Sequence, residues 1–214
     1  MGLWLWGMSR LPIARARLGN LDRFEAEIAN DGRRLLEGLL FLILYCLTIP
    51  AAIYLTWNIG LDCGDGTPCK LPPAPGLSAT SGSFAIGAVF VLRDYIQRRI
   101  GIAISICAIV MGAALGGYLV SPSLAVASTM AFLVSGFIDL LIYTPIAKKR
   151  FVRAVVISSI VSAVIDSGIF LWLGFHSLEL FPGQVLAKMW VILLAIPLTI
   201  WLLKRDQRIG LAPA

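Results

Sequence analysis

The sequence predicts an all-α integral membrane protein with six transmembrane helices, and three observations carry that reading. Hydrophobic residues make up 58% of the 214-residue chain and charged residues only 14%, against roughly 25% charged in soluble domains. Mean hydropathy is +0.86, and so few charges could not cover so much apolar surface in water. Apolar segments also recur at close to the ~20 residues that carry a helix through a bilayer. Finally, the basic residues gather in alternate connectors, as the bias of Lys and Arg toward the cytoplasmic face requires. The net charge of +6 and pI near 9.4 follow from that bias, so no nucleic-acid partner is expected.

Six spans are read at about 35–57, 78–97, 100–120, 124–147, 155–175 and 185–203. Pro50 lies in the first, and Pro145 and Pro197 interrupt the hydrogen bonding of the fourth and sixth. The second is the weakest, with an uninterrupted apolar core of only 84–92. It is kept because an odd number of spans would spoil the charge pattern. Short connectors make spans two to six antiparallel neighbours. The run MGAALGGY in span three, with Gly112, Ala113, Gly116 and Gly117, is a close-packing face of small residues.

Charge sets the orientation. Arg10, Arg15, Arg17, Arg23, Arg33 and Arg34 precede span one, and Arg93, Arg98 and Arg99 close span two. Lys148, Lys149, Arg150 and Arg153 follow span four, and Lys204, Arg205 and Arg208 follow span six. Among the 18 basic residues only Lys70 and Lys188 fall elsewhere. Both termini are therefore expected in the cytoplasm of a bacterial inner-membrane protein. The organisation is a tail over 1–34, a six-helix domain over 35–204 and a tail over 205–214.

The start MGLWLWGM is too short for a cleavable signal and its arginines follow it. Trp6 stands where a myristoylation site wants Ser or Thr. The stretch 21–36 places Leu21, Phe24 and Ile28 at helical spacing among mixed charges. It reads as an interfacial amphipathic helix, with Trp4 and Trp6 as headgroup anchors, or as a disordered tail. The outward loop 60–80 is rich in Pro and Gly and holds CGDGTPC. Cys63 and Cys69 can oxidise there to a local disulfide. Cys46 and Cys107 fall inside spans, as packing residues.

Function is sought among the ionisable residues inside the membrane, which cost about 2.5–3.5 kcal/mol each at a helix centre on insertion scales. They are Arg93 and Asp94 in span two, Asp139 in span four, Asp166 in span five and Lys188 in span six. Asp166 lies about 11 residues into its span, roughly 16 Å at 1.5 Å per residue. Ser158, Ser162 and Asp166 follow at i, i+4 and i+8, with Ser159 and Ser167 beside them. That face points into the bundle. Ser128, Ser135 and Asp139 make a second stripe in span four. Asp94, beside Arg93, reads equally as half of a structural salt bridge, and Lys188 could snorkel outward. Phe132, Phe137, Phe170, Trp172 and Trp190 adjoin the stripes as stacking surfaces or packing residues, while Trp57 and Trp201 read as interface anchors.

These segments resemble the vitamin-uptake-transporter-like family, which includes the queuosine-precursor transporters. SFAIGAVFVLRDYIQRRIG at 83–101 is similar to its aromatic-x-Asp motif ahead of a basic turn. AFLVSGFIDLLIYTPI at 131–146 resembles its fourth helix, and VVISSIVSAVIDSGIFLWLGF at 155–175 its fifth, with Asp-Ser-x-x-Phe at 166–170. FPGQVLAKMWVILLAIP at 181–197 resembles its sixth. The resemblance covers 83–204 and leaves the first 80 residues outside.

The resemblance implies six helices like those of the substrate-binding subunits of energy-coupling-factor importers. It also implies a substrate such as 7-cyano-7-deazaguanine or 7-aminomethyl-7-deazaguanine. Asp94, Asp139, Ser162, Asp166, Lys188, Phe132 and Phe170 are the implied binding residues. A guanine-like edge offers an N1–H and an exocyclic amine, which suit one carboxylate, and a lysine suits the ring carbonyl or the nitrile. Where queuosine-type members often have Gly-Gln, this chain has Ser135-Gly136, a departure that bears on the substrate.

The expected function is import of a small purine-like compound, without a cofactor or a metal, with the bilayer and an optional energising module as partners. A vitamin-binding subunit of an energy-coupling-factor importer is the nearest alternative. A lipid-modifying enzyme or a non-transporting scaffold stand further off. GxxxxGK[ST], HExxH and CxxC do not occur, and His176 is the single histidine.

Overall fold

The computed structural model describes the backbone over 12–63 and 67–211 together with residue 213, and side chains from residue 30 onward. Trp4 and Trp6 lie outside the described residues. Six helices and one hairpin are present among those described: α1 Pro12–Asn58, β1 Lys70–Ala74, β2 Leu77–Thr80, α2 Gly82–Ile100, α3 Ile102–Leu119, α4 Pro122–Ala147, α5 Phe151–Phe175 and α6 Phe181–Ile209. Where the sequence reading placed an interfacial helix ahead of span one, a single helix runs without a break from Pro12 to Asn58.

Burial is inverted relative to a water-soluble domain. Leu194 is 75% exposed, Leu36 and Leu141 70%, while Arg93, Arg99, Lys188, Asp94 and Asp139 are at most 2% exposed. Apolar outward faces around buried charges suit a hydrocarbon solvent. Among the described residues five helices are long and apolar enough to cross a membrane: 30–58 of α1, and α3, α4, α5 and α6. The remaining helix, α2, spans 19 residues, about 28 Å at 1.5 Å per residue, but is too polar to join them.

Its position explains its composition. Helix α2 touches every other helix of the bundle, and Val89, Phe90, Val91, Arg93, Asp94, Tyr95, Ile96 and Arg99 are all buried. A central helix meets side chains of its neighbours on most faces, so it needs little lipid-facing hydrophobicity. Its close approach to α6 uses Gly87, where a Cβ would stand 2.8 Å from Lys188 O. On α3, a Cβ at Gly112 would stand 2.6 Å from Phe132 Cε1, so the small-residue face seats the Phe132 ring.

The loop expected over 60–80 folds instead as an antiparallel hairpin, with Lys70 paired to Thr80 and Ala74 to Leu77. An all-α reading misses it. Pro75 and Gly76 make the turn, and Gly76 takes a φ of 78°, a left-handed value that glycine accepts without a Cβ clash. The Cys63–Cys69 disulfide is formed. Cys69 N donates to Thr56 O at 2.7 Å, Ser81 Oγ to Leu55 O at 2.6 Å and Trp190 Nε1 to Pro73 O at 3.2 Å. The hairpin is thereby fastened to α1 and α6. His176 caps α5 in a left-handed conformation, a turn role. Cys107 is exposed on the outside of the bundle, not packed within it.

Candidate functional site

Three polar layers descend through the bundle from the hairpin end to the basic end. The uppermost floors a compact cavity of about 110 Å³ beneath the hairpin, lined by Trp57, Thr80, Ser83, Phe132, Phe170, Phe175 and Gln184 among others, with Asp166 and Lys188. Lys188 Nζ donates to Asp166 Oδ2 at 2.6 Å and to Ser167 Oγ at 2.7 Å. The lysine thus turns inward to a carboxylate and does not snorkel. Helices α5 and α6 pack directly on each other, which brings the two side chains together. An ammonium has three N–H donors, so one remains beyond these two bonds.

The second layer lies deeper. Ser135 Oγ donates to Asp166 Oδ1 at 3.4 Å. Ser162 Oγ lies 3.1 Å from Ser135 O and 3.1 Å from Asp139 Oδ1. Arg93 Nη2 stands 2.5 Å from Asp139 Oδ2, and Ser158 Oγ donates to Asp94 Oδ2 at 3.2 Å. The expected Arg93–Asp94 bridge does not form, because successive helical residues diverge and do not face each other. Arg93 reaches across to α4, and Asp94 is left to Ser158 of α5.

At the basic end, Arg99 binds both oxygens of Asp206, at 2.8 and 2.9 Å, and donates to Glu37 Oε2 at 2.8 Å. Arg98 reaches Asp206 Oδ2 at 2.9 Å while its guanidinium lies 4.1 Å from the centre of the Phe151 ring. This clamp ties α1, α2 and α6 and closes the bundle below the second layer. Arg98 and Arg99 are therefore pinned inside ion pairs, where the sequence showed a basic turn. Arg93 sits among helices and not in that turn.

Of the residues singled out from sequence, Asp166, Lys188, Phe132 and Phe170 line the cavity, while Asp94, Asp139 and Ser162 do not. Phe137, Trp172 and Trp190 are 40%, 59% and 47% exposed and lie on the outer surface. Trp57 is part of the cavity wall as well as the helix end. Gln184, Thr80 and Ser83 were missed. Gln184 stands four residues before Lys188, on the same face of α6, so a stripe search on that span would have found it. Thr80 reaches the cavity from the end of the hairpin, which carried no helical period, and Ser83 from the first turn of α2. Their hydroxyls lie 2.8 Å apart, and Gln184 Nε2 donates to Thr80 Oγ1 at 3.4 Å.

Residues 116–202 match the family model described as "Putative vitamin uptake transporter". This is the family that the sequence resembles. The match takes in Asp139, Asp166, Gln184 and Lys188 and starts beyond Asp94. No curated protein and no solved structure matches the chain. With its five apolar helices, the chain is a transporter-like, multi-pass membrane protein whose matched family handles small molecules.

Proposed function

We propose that the chain imports a small purine-like compound, with a 7-deazaguanine precursor of queuosine as its substrate. The observation that carries this reading is the Asp166–Lys188 pair at the floor of a cavity walled by Phe132 and Phe170. A planar heterocycle between the rings gains stacking. Its N1–H and exocyclic amine suit the Asp166 carboxylate, and its ring carbonyl or nitrile suits the remaining N–H of Lys188. Gln184, with a donor and an acceptor on one amide, supplies a base-reading group from α6 in place of the glutamine that Ser135-Gly136 lacks.

On this reading six helices cross the bacterial inner membrane with both termini inside, and the hairpin end faces out. The cavity then opens to the outside, and the Arg98–Arg99–Asp206–Glu37 clamp closes the inner side. Import follows by exchange of those two closures.

The test is uptake in a bacterium that can neither make nor import queuosine precursors, supplied with nanomolar 7-cyano-7-deazaguanine, with queuosine in tRNA as the readout. Restoration by the wild-type chain, lost in Asp166→Asn at equal membrane level, is expected. No restoration despite good membrane expression removes the deazaguanine assignment.

A further inference from the structure

A groove of about 400 Å³ opens on the outside of the bundle at its basic end, where α1 passes the junction of α2 and α3. Its wall is apolar, formed by Leu35, Leu39 and Leu42 of α1 together with Ile104 of α3. Leu35 and Leu39 are exposed, as side chains in contact with lipid should be. Asp31 and Arg34 close the end of the groove. Asp31, Leu35, Leu39 and Leu42 recur at intervals of four, four and three residues, with Arg34 beside Leu35. That spacing puts all five on one face of the helix.

The polar end has unspent donors. Arg34 Nη1 donates to Asp31 Oδ1 at 3.3 Å. Arg34 Nε, on the other edge of the guanidinium, is buried and has no hydrogen-bond partner. On that edge the Nε–H and an Nη–H stand side by side, a fork that fits two oxygens of a phosphate. Asp31 commits only Oδ1 to its bond with Arg34, and its side chain is 69% exposed. Arg99 also borders the groove but cannot serve it, since its three nitrogens are held by Glu37 and Asp206.

Depth decides what belongs there. The apolar stretch of α1 covers 30–58, 29 residues, or about 43 Å at 1.5 Å per residue. That exceeds the ~30 Å hydrocarbon core and equals a bilayer with its headgroup layers. Asp31 and Arg34 therefore stand at headgroup depth, and Leu39 and Leu42 at acyl depth. From the solvent inward the groove offers a carboxylate, a guanidinium and then an apolar wall. Phosphatidylethanolamine has the complementary order of ammonium, phosphate and acyl chains. Three residues separate Asp31 from Arg34, about 4.5 Å of rise, the scale of the two-carbon link between that lipid's nitrogen and its phosphate.

We propose that this groove is a binding site for a phospholipid with an ethanolamine headgroup. Its phosphate sits on Arg34, its ammonium on Asp31 and an acyl chain along Leu35, Leu39 and Leu42. An exposed ion pair such as Asp31–Arg34 is worth little by itself, so the lipid recruits both partners at small cost. A choline headgroup carries the same charges but has no N–H to donate. A glycerol headgroup leaves Asp31 beside the phosphate with no cation between them. The site is independent of what the cavity carries.

The test is native mass spectrometry of the purified full chain. Phosphatidylethanolamine, phosphatidylcholine and phosphatidylglycerol with identical acyl chains are added at equal concentration. The ethanolamine lipid should be retained about fivefold more than either competitor, the scale of one exposed ion pair. Asp31→Asn should bring ethanolamine and choline lipids to equal retention, and Arg34→Gln should lower retention of both. Lys149→Gln, at an exposed position outside the groove, should leave the preference unchanged. Stepwise N-methylation of the lipid asks the same question of the wild-type chain, and retention should fall as N–H donors are lost. Equal retention of the three lipids by the wild type, as bulk lipid would give, overturns the site. Preference for the glycerol lipid overturns the ethanolamine assignment. An ethanolamine preference that survives both Asp31→Asn and Arg34→Gln overturns the location.

Discussion

Lys188 and Asp166 each satisfy the other, and Ser167 and Ser135 complete their shells. Removing one partner of a buried pair leaves an uncompensated charge, a loss of about 3–5 kcal/mol in proteins generally. Lys188→Met should therefore lower thermal stability in detergent as well as abolish uptake. Asp166→Asn, which keeps a hydrogen-bonding side chain for Lys188, should lose uptake with a smaller drop in stability. A Lys188→Met protein that transports at the wild-type rate would contradict a binding role. Asp166 was legible in the sequence because serines at i−4 and i−8 mark one helix face. The partner of Lys188 was not, since residues on two different helices meet only through packing. The same limit hid the Arg93–Asp139 pair: adjacency in the chain suggested Asp94, and helical geometry sends the two side chains apart.

Among the elements, α2 shows most clearly how hydropathy and position diverge. A window that asks for apolar residues finds it weak, because its ionic groups face helices and not lipid. The lower clamp depends on them. Asp206→Ala would leave Arg98 without its carboxylate and Arg99 with only Glu37, so a destabilisation of about 3 kcal/mol is expected, read as a lowered melting temperature in detergent. Arg99→Lys should recover little of it, because an ammonium cannot repeat the two-pronged contact with Asp206. The hairpin was illegible for another reason. Two strands of five and four residues in a Pro- and Gly-rich stretch carry no alternation long enough to separate from a loop. The disulfide at its base closes a short loop, and replacing both cysteines by serine should cost about 2 kcal/mol. Uptake should weaken with it, because Pro68 and Thr80 line the cavity; unaltered uptake would show that the hairpin does not shape the site.

For the molecule as a whole, the proposed count of six crossings rests on charge and not on apolar windows. Five helices qualify by composition; on the proposed reading α2, central in the bundle, is the sixth crossing that the distribution of Lys and Arg asks for. Single cysteines at Lys70 and Arg208 in a cysteine-free background give the check. An impermeant maleimide applied to intact cells should label the first and not the second; labelling of both, or of Arg208→Cys alone, would contradict the proposed orientation. The five apolar helices were legible at this scale by length and composition. What the sequence could not display was depth: that Asp166 and Lys188 floor the cavity, while Asp94 and Asp139 lie a layer below it.

The most direct measurement is equilibrium binding of labelled 7-cyano-7-deazaguanine to the purified protein, compared with Asp166→Asn. Saturable binding by the wild type, weakened at least tenfold in the variant, about 1.4 kcal/mol or more, is the result expected. Equal affinity in both proteins would contradict the placement of the substrate on the Asp166–Lys188 pair, and no binding by the wild type would contradict the substrate itself.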